Sequence, residues 1–154
     1  MNWQYIWNTL PRFIDATWIT LQLSFWAIVL SLFIGFFCAI VTTYKVRMLN
    51  PIVKFYIELS RNTPLLIQVF FLYFGLSKVG IKLDGFTCAV IGLAFLGGSY
   101  MSEAIRGGLE AIPRAQLESA LSLGLTPAQA FRYVLFPQAF AVAAPAIGAN
   151  SLFL

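Results

Sequence analysis

The chain has 154 residues, of which 60% are hydrophobic, 16% aromatic and only 10% charged. A soluble fold of this size cannot hide that much apolar surface, so an ordinary globular domain is excluded. The net charge of +4 rests on ten basic residues too scattered for a phosphate-tracking face, and with no His and only Cys38 and Cys88, both in apolar runs, nucleic-acid binding, metal sites, Ser-His triads and a disulfide framework are all disfavoured.

Residues 1–13 space Trp3, Tyr5, Ile6, Trp7, Leu10 and Phe13 so that several share one helical face. This suits an interfacial helix in the headgroup layer or an aromatic lead-in to the first span. Arg12 and Asp15 then precede an apolar run far longer than a signal peptide's core of ~7–15 residues, so no cleavable signal is expected. Residues 16–44 contain no Asp, Glu, Lys or Arg, whereas a bilayer core of ~30 Å needs only ~20 helical residues. They form the first predicted transmembrane helix. Along it Ser24, Ser31, Gly35, Cys38 and Thr42 make a stripe of small side chains, which lets another helix approach closely in lipid.

Lys45, Arg47 and Lys54 follow, with Asn50-Pro51 as a turn and helix restart. The apolar run at 64–77 is too short to span alone. Counting back to Pro51 gives a second span, with Glu58 and Arg61 near its basic end and obliged to face protein or water. Asn62-Thr63-Pro64 interrupts this span, because Pro64 removes a backbone hydrogen bond. After a polar turn at 78–84, residues 85–102 make a third charge-free span. Its Gly97-Gly98-Ser99-Tyr100 is poor in helix formers and is expected to be a second broken segment. Residues 133–154 form a fourth span, ending inside an apolar run, and a truncated chain is expected. The fold class is therefore all-α, a polytopic membrane bundle of four predicted transmembrane helices. If the N-terminus lies outside, Lys45, Arg47, Lys54, Arg61, Arg106, Arg114 and Arg132 fall on or near the cytoplasmic side against Arg12, Lys78 and Lys82 outside, as the positive-inside rule favours.

Residues 114–138 then face the cytoplasm. Pro113 suits the start of a helix; Leu117, Leu121 and Leu125 share one face of it, and Ala115, Ser119 and Ser122 form a small polar face. Gly124 is placed to end that helix in a left-handed turn. Thr126-Pro127-Ala128-Gln129 opens the next with a capping box.

Glu118-Ser119-Ala120, three residues, Gly124, nine residues and Val134-Leu135-Phe136-Pro137 resemble the EAA loop of bacterial ABC importer permeases, E-A-A-x3-G-x9-I-x-L-P. Two further stretches resemble the polar amino acid branch, which serves histidine- and glutamine-type systems. Arg61-Asn62-Thr63-Pro64-Leu65-Leu66-Ile67-Gln68 is similar to its R-G-T-P-L-L-x-Q segment, with Asn62 in place of Gly. Residues 99–108, with Ser99, Tyr100, Glu103, Arg106, Gly107 and Gly108, are similar to its A-Y-x-x-E-x-x-R-G-G segment.

The resemblance implies one ABC permease transmembrane domain over 1–154, in a family that usually has five such helices, with a cytoplasmic coupling loop at 113–137. It implies an importer of polar amino acids in a bacterial inner membrane: a second permease subunit, two ATP-binding subunits that carry ATP and Mg, and an extracytoplasmic solute-binding protein. No cofactor is expected on this chain, which has no Walker A motif and is expected not to be an enzyme. Glu118, Ser119, Ala120, Gly124 and Pro137 would couple to the ATPase, with Pro137 and Pro145 bending the last helix. Asn62, Thr63, Gln68, Ser99, Tyr100 and Ser102 are candidates for the solute path, and Arg61, Glu103 and Arg106 are charged groups at helix ends. Two other classes compete. An ion-coupled carrier needs an ionisable relay at the midplane, where the spans carry no charge. A polytopic membrane enzyme needs a catalytic pair, and none is visible.

Overall fold

The computed structural model describes the chain from Trp3 to Leu154, apart from the side chains of Trp3, Gln4, Tyr5, Ile6 and Asn8. Among these residues all regular structure is helical. Helix α1 (Trp3–Thr43) runs 41 residues without a break, through Pro11. At 1.5 Å per residue it is about 60 Å long, about twice the hydrocarbon thickness of a bilayer. The aromatic segment before the first span is thus continuous with it where it is described; Met1, Asn2 and the side chains of Trp3, Tyr5 and Ile6 lie outside the described residues.

Helix α1 stops at a Schellman turn. The Val46 N–H donates to the Val41 carbonyl (3.1 Å), the Lys45 N–H to Thr42 (3.4 Å), and Lys45 takes φ +51°. Helix α2 (Asn50–Asn62) restarts with a proline in its first turn and ends because the residue before Pro64 is driven into extended backbone, Thr63 at φ −110°, ψ 127°. Beyond the break come α3 (Leu65–Phe70), a π-turn (Phe71–Gly75) and α4 (Leu76–Lys78). Gly80, at φ +91°, caps that piece with a second Schellman turn. Asp84 then caps α5 (Gly85–Glu110), accepting from the Thr87 N–H (3.1 Å) and hydroxyl (2.6 Å). Those bonds to Thr87 hold its carboxyl below the usual carboxylate range. The chain closes with α6 (Arg114–Ser122), α7 (Pro127–Ala130), a second π-turn (Phe131–Leu135) and α8 (Phe136–Leu152).

Three described helices are long and apolar enough to cross a membrane, at Thr9–Thr43, Gly85–Glu110 and Pro127–Leu152. The second of the four expected spans is instead two shorter helical pieces divided at Thr63-Pro64. Helix α5 is the spine of the bundle: it packs along α1 and α8 and touches α2 and α3. The expected break at Gly97-Gly98-Ser99-Tyr100 is absent, and α5 is continuous there. The glycines serve helix contact. A Cβ on Gly98 would lie 2.6 Å from Ile34 Cγ2 and 2.7 Å from the Tyr56 hydroxyl, while one on Gly97 would overlap the Ser31 hydroxyl. The small stripe of α1 meets this surface, with Ser31, Gly35 and Cys38 buried. In lipid such close approach replaces the hydrophobic drive that water would supply.

Candidate functional site

The break between α2 and α3 organises one polar cluster. Pro64 has no N–H to give the Ser60 carbonyl four residues earlier. Gln68 replaces it: its Nε2 donates to the Ser60 carbonyl at 3.0 Å, and also reaches the Thr63 carbonyl (3.0 Å) and hydroxyl (2.9 Å). Thr63 and Asn62 donate to the carbonyls of Leu59 (2.5 Å) and Glu58 (2.8 Å). Three of the residues expected on the solute path therefore spend donors on the broken backbone. Ser99 and Ser102 are fully buried in the helix contact. Ser99 accepts from Ser60 (3.2 Å) and donates to the Leu96 carbonyl (2.7 Å).

Two residues passed over in the sequence complete this clamp. Tyr56 (2.6 Å) and Ser60 (2.9 Å) both donate to the Phe95 carbonyl, tying α2 to α5. Val53, Tyr56 and Ser60 recur at helical spacing, which is the signal that could have found them.

Tyr100 is different. Its ring is exposed, with the Arg61 guanidinium 4.8 Å from its centroid. Arg61 donates to Glu103 (2.7 Å), Glu103 also accepts from Arg106, and Arg106 donates to Glu110 (2.7 Å). Four charges thus alternate in sign from the end of α2 along α5. Two of them, Arg61 and Glu103, border with Tyr100 a cleft of about 400 Å³ that continues past Gly107 and Gly108 to Ala146 and Asn150 of α8. Asn150 donates to the Tyr100 carbonyl (3.3 Å). As one of two amides in the last apolar run, with Gln138, it too was legible. Among the described residues no His, Cys, Asp or Glu cluster could hold a metal.

Helix α5 leads from this cluster into the patterned polar interval, since Glu110 ends α5 and Arg114 begins α6. Helix α6 is stopped by a third Schellman turn, with Leu125 N–H on the Ala120 carbonyl (3.2 Å), Gly124 N–H on Leu121 (2.9 Å) and Gly124 at φ +82°. Leu125 consequently lies beyond the helix and does not share a face with Leu117 and Leu121. Ala120 is buried, Glu118 and Ser119 are exposed, and Leu123 is 83% exposed. Thr126 and Gln129 form a reciprocal capping box that starts α7 at once. Pro137 stands in the first turn of α8, directly after the second π-turn, and Pro145 lies within that helix.

A family described as the binding-protein-dependent transport system inner membrane component matches residues 31–154. The chain belongs to this family. It is 36% identical to the probable amino-acid ABC transporter permease protein PatM of Vibrio harveyi over 149 residues, covering 95% of this chain and 67% of that protein. It is 32% identical to the glutamine transport system permease protein GlnP of Escherichia coli, covering 96% and 68%. A solved structure described as an amino acid ABC transporter with histidines superposes with a TM-score of 0.87 at 35% identity, over 99% of this chain and 72% of that one. The chain spans about two thirds of the length of those two permeases. It is an amino-acid ABC transporter permease subunit, all-α and membrane-embedded, and permease subunits are not themselves enzymes.

Proposed function

We propose that this permease subunit carries polar amino acids inward across a bacterial inner membrane, driven by a separate ATPase that grips α6 within a coupling loop at residues 113–137. The observation that carries this reading is the form of the loop: a nine-residue helix, a left-handed glycine, then a doubly capped turn. Stiff ends around one sharp corner make a lever, since force on α6 reaches α8 without being absorbed by slack backbone. In this reading α6 seats in a groove of the ATPase, and Glu118 meets a basic side chain or free N–H there. Ser119 and Ala120 keep the contact close, Gly124 turns the chain back, and Pro137 receives the load.

ATP and Mg bind the partner, a solute-binding protein serves the outer face, and a second permease subunit completes the pore. Residues 1–154 form one transmembrane domain with its N-terminus outside, which the distribution of Lys and Arg supports. The solute passes the cleft of Arg61, Tyr100, Glu103 and Asn150, beside which Arg106 pairs with Glu103. An amino acid carries both charges that the Arg61–Glu103 pair exchanges with each other, so its carboxylate and ammonium can replace the two partners in turn. The kinship with permeases for amino acids and glutamine supports that solute class.

The test is uptake by the complete transporter in vesicles. ATP inside should drive entry of labelled polar amino acids. Entry driven by a proton or sodium gradient without ATP overturns the reading. Gly124→Val should insert normally and lose at least about tenfold in uptake, because a branched residue resists the left-handed turn. Unchanged uptake by this variant refutes the lever.

A further inference from the structure

Where α1 hands over to α2, Lys45, Arg47 and Lys54 are exposed, and among the described residues none of their side chains makes an ion pair or hydrogen bond. Tyr44 packs edge-on against Phe131 at 6.4 Å, which brings the second π-turn and its Arg132 to the same corner. Arg132 lies over the Tyr133 ring at 5.8 Å. The stretches 16–57 and 119–154 contain no Asp or Glu, and the carboxylates next in sequence are Glu58, one turn beyond Lys54 on α2, and Glu118 on α6. Four cations therefore flank the Tyr44–Phe131 contact, and neither Glu58 nor Glu118 forms an ion pair with any of them.

Lys45 adds an independent observation. Among the described residues the same Schellman turn occurs three times, and at the other two the left-handed position is glycine, Gly80 and Gly124. Only here does a side chain occupy a backbone that disfavours one. Interleaved with the cations are Met48, Ile52 and Phe55, at 84%, 64% and 66% exposed. Tyr44 and Tyr133, also exposed, are the residue type that marks headgroup depth.

We propose that this corner binds the headgroup of an anionic phospholipid, its phosphate held by Lys45, Arg47, Lys54 and Arg132 and its acyl chains lying along Met48, Ile52 and Phe55. Basic side chains beside a membrane span attract anionic lipid. An acidic soluble partner would satisfy the charges but leave the three apolar side chains in water. The proposal needs only that the chain lies in a membrane, so it survives if import or ATP coupling fails.

The full chain, purified in neutral detergent, is titrated with short-chain phosphatidylglycerol, phosphatidylcholine or inorganic phosphate and followed by melting temperature and native mass spectrometry. Phosphatidylglycerol alone should bind and raise the melting temperature. Lys45→Gly should melt higher than the parent without lipid, yet bind phosphatidylglycerol about fivefold more weakly. Arg47→Gln, Lys54→Gln and Arg132→Gln should weaken it similarly, while Arg47→Lys retains it. Equal binding of phosphatidylcholine, reproduction of the shift by inorganic phosphate, or unchanged affinity in all four variants overturns the proposal. So does loss of the ATPase subunit from the variants with lipid affinity intact, which assigns the cations to a protein partner.

Discussion

Gln68 shows how one side chain can be misread from its position. In sequence it is an amide at membrane depth, and such groups invite a solute. In the structure its donors stand in for the N–H that Pro64 lacks. Removing that donor strands a carbonyl at the break, where an unpaired polar group costs roughly 1–3 kcal/mol. Gln68→Leu, of similar size, should therefore lower the melting temperature of the purified chain. An unchanged melting temperature with a raised KM for uptake would instead restore Gln68 to the solute path. Asn62 and Thr63 belong with Gln68 by the same reasoning, since each donates to the carbonyl four residues before it. Tyr100 stands apart because its ring faces the cleft beneath Arg61.

Helices in this chain meet through side chains that are absent or nearly so. Gly107 and Gly108 are neighbours on α5 with opposite surroundings. A Cβ on Gly107 meets nothing within 4 Å, whereas one on Gly108 overlaps the Ala139 carbonyl and lies 2.8 Å from Ala143 Cβ. Alanine in a helix interior is favoured over glycine by about 0.5–1 kcal/mol, but overpacking against rigid backbone costs about 1–3 kcal/mol. Gly107→Ala should hold or raise stability, and Gly108→Ala should lower it as α8 is pushed from α5; melting in detergent checks both. Equal behaviour of the pair would show that this helix contact does not form as described. The same logic explains α5. Gly97 and Gly98 lower its intrinsic helicity, yet the helix continues, because in lipid every backbone group must bond within its own segment and the glycines let α1 and α2 close on it.

Across the whole molecule burial is uneven. Of the three long apolar stretches α5 is the most buried and Pro127–Leu152, which ends in α8, the least, although α8 carries the cleft residues Ala146 and Asn150. A helix that lines a polar cleft and carries small residues is suited to a protein neighbour, and the second permease subunit proposed above is the candidate to test. A photoreactive benzoylphenylalanine at Val142 should yield a protein adduct of permease mass in the assembled transporter. At Phe33, 78% exposed on α1, it should label lipid. Lipid labelling at both sites would remove α8 from the subunit interface.

Much of this protein follows from local chemistry, and that part was legible without a fold. Charge-free runs become helices because lipid offers the backbone no other partner. Pro64 must break a helix, Gly124 can turn left-handed, and Thr126 with Gln129 can cap, since each acts within a few residues of itself. The family motifs sit at fixed short spacings for the same reason. Only the tertiary structure decided which polar groups are spent on bracing and which border an open cleft. Arg61 finds Glu103 across 42 positions, and Asn150 finds the Tyr100 carbonyl across 50. Hydrogen bonds within a helix are fixed by its own pitch, but partners so far apart in the chain meet only when the helices pack.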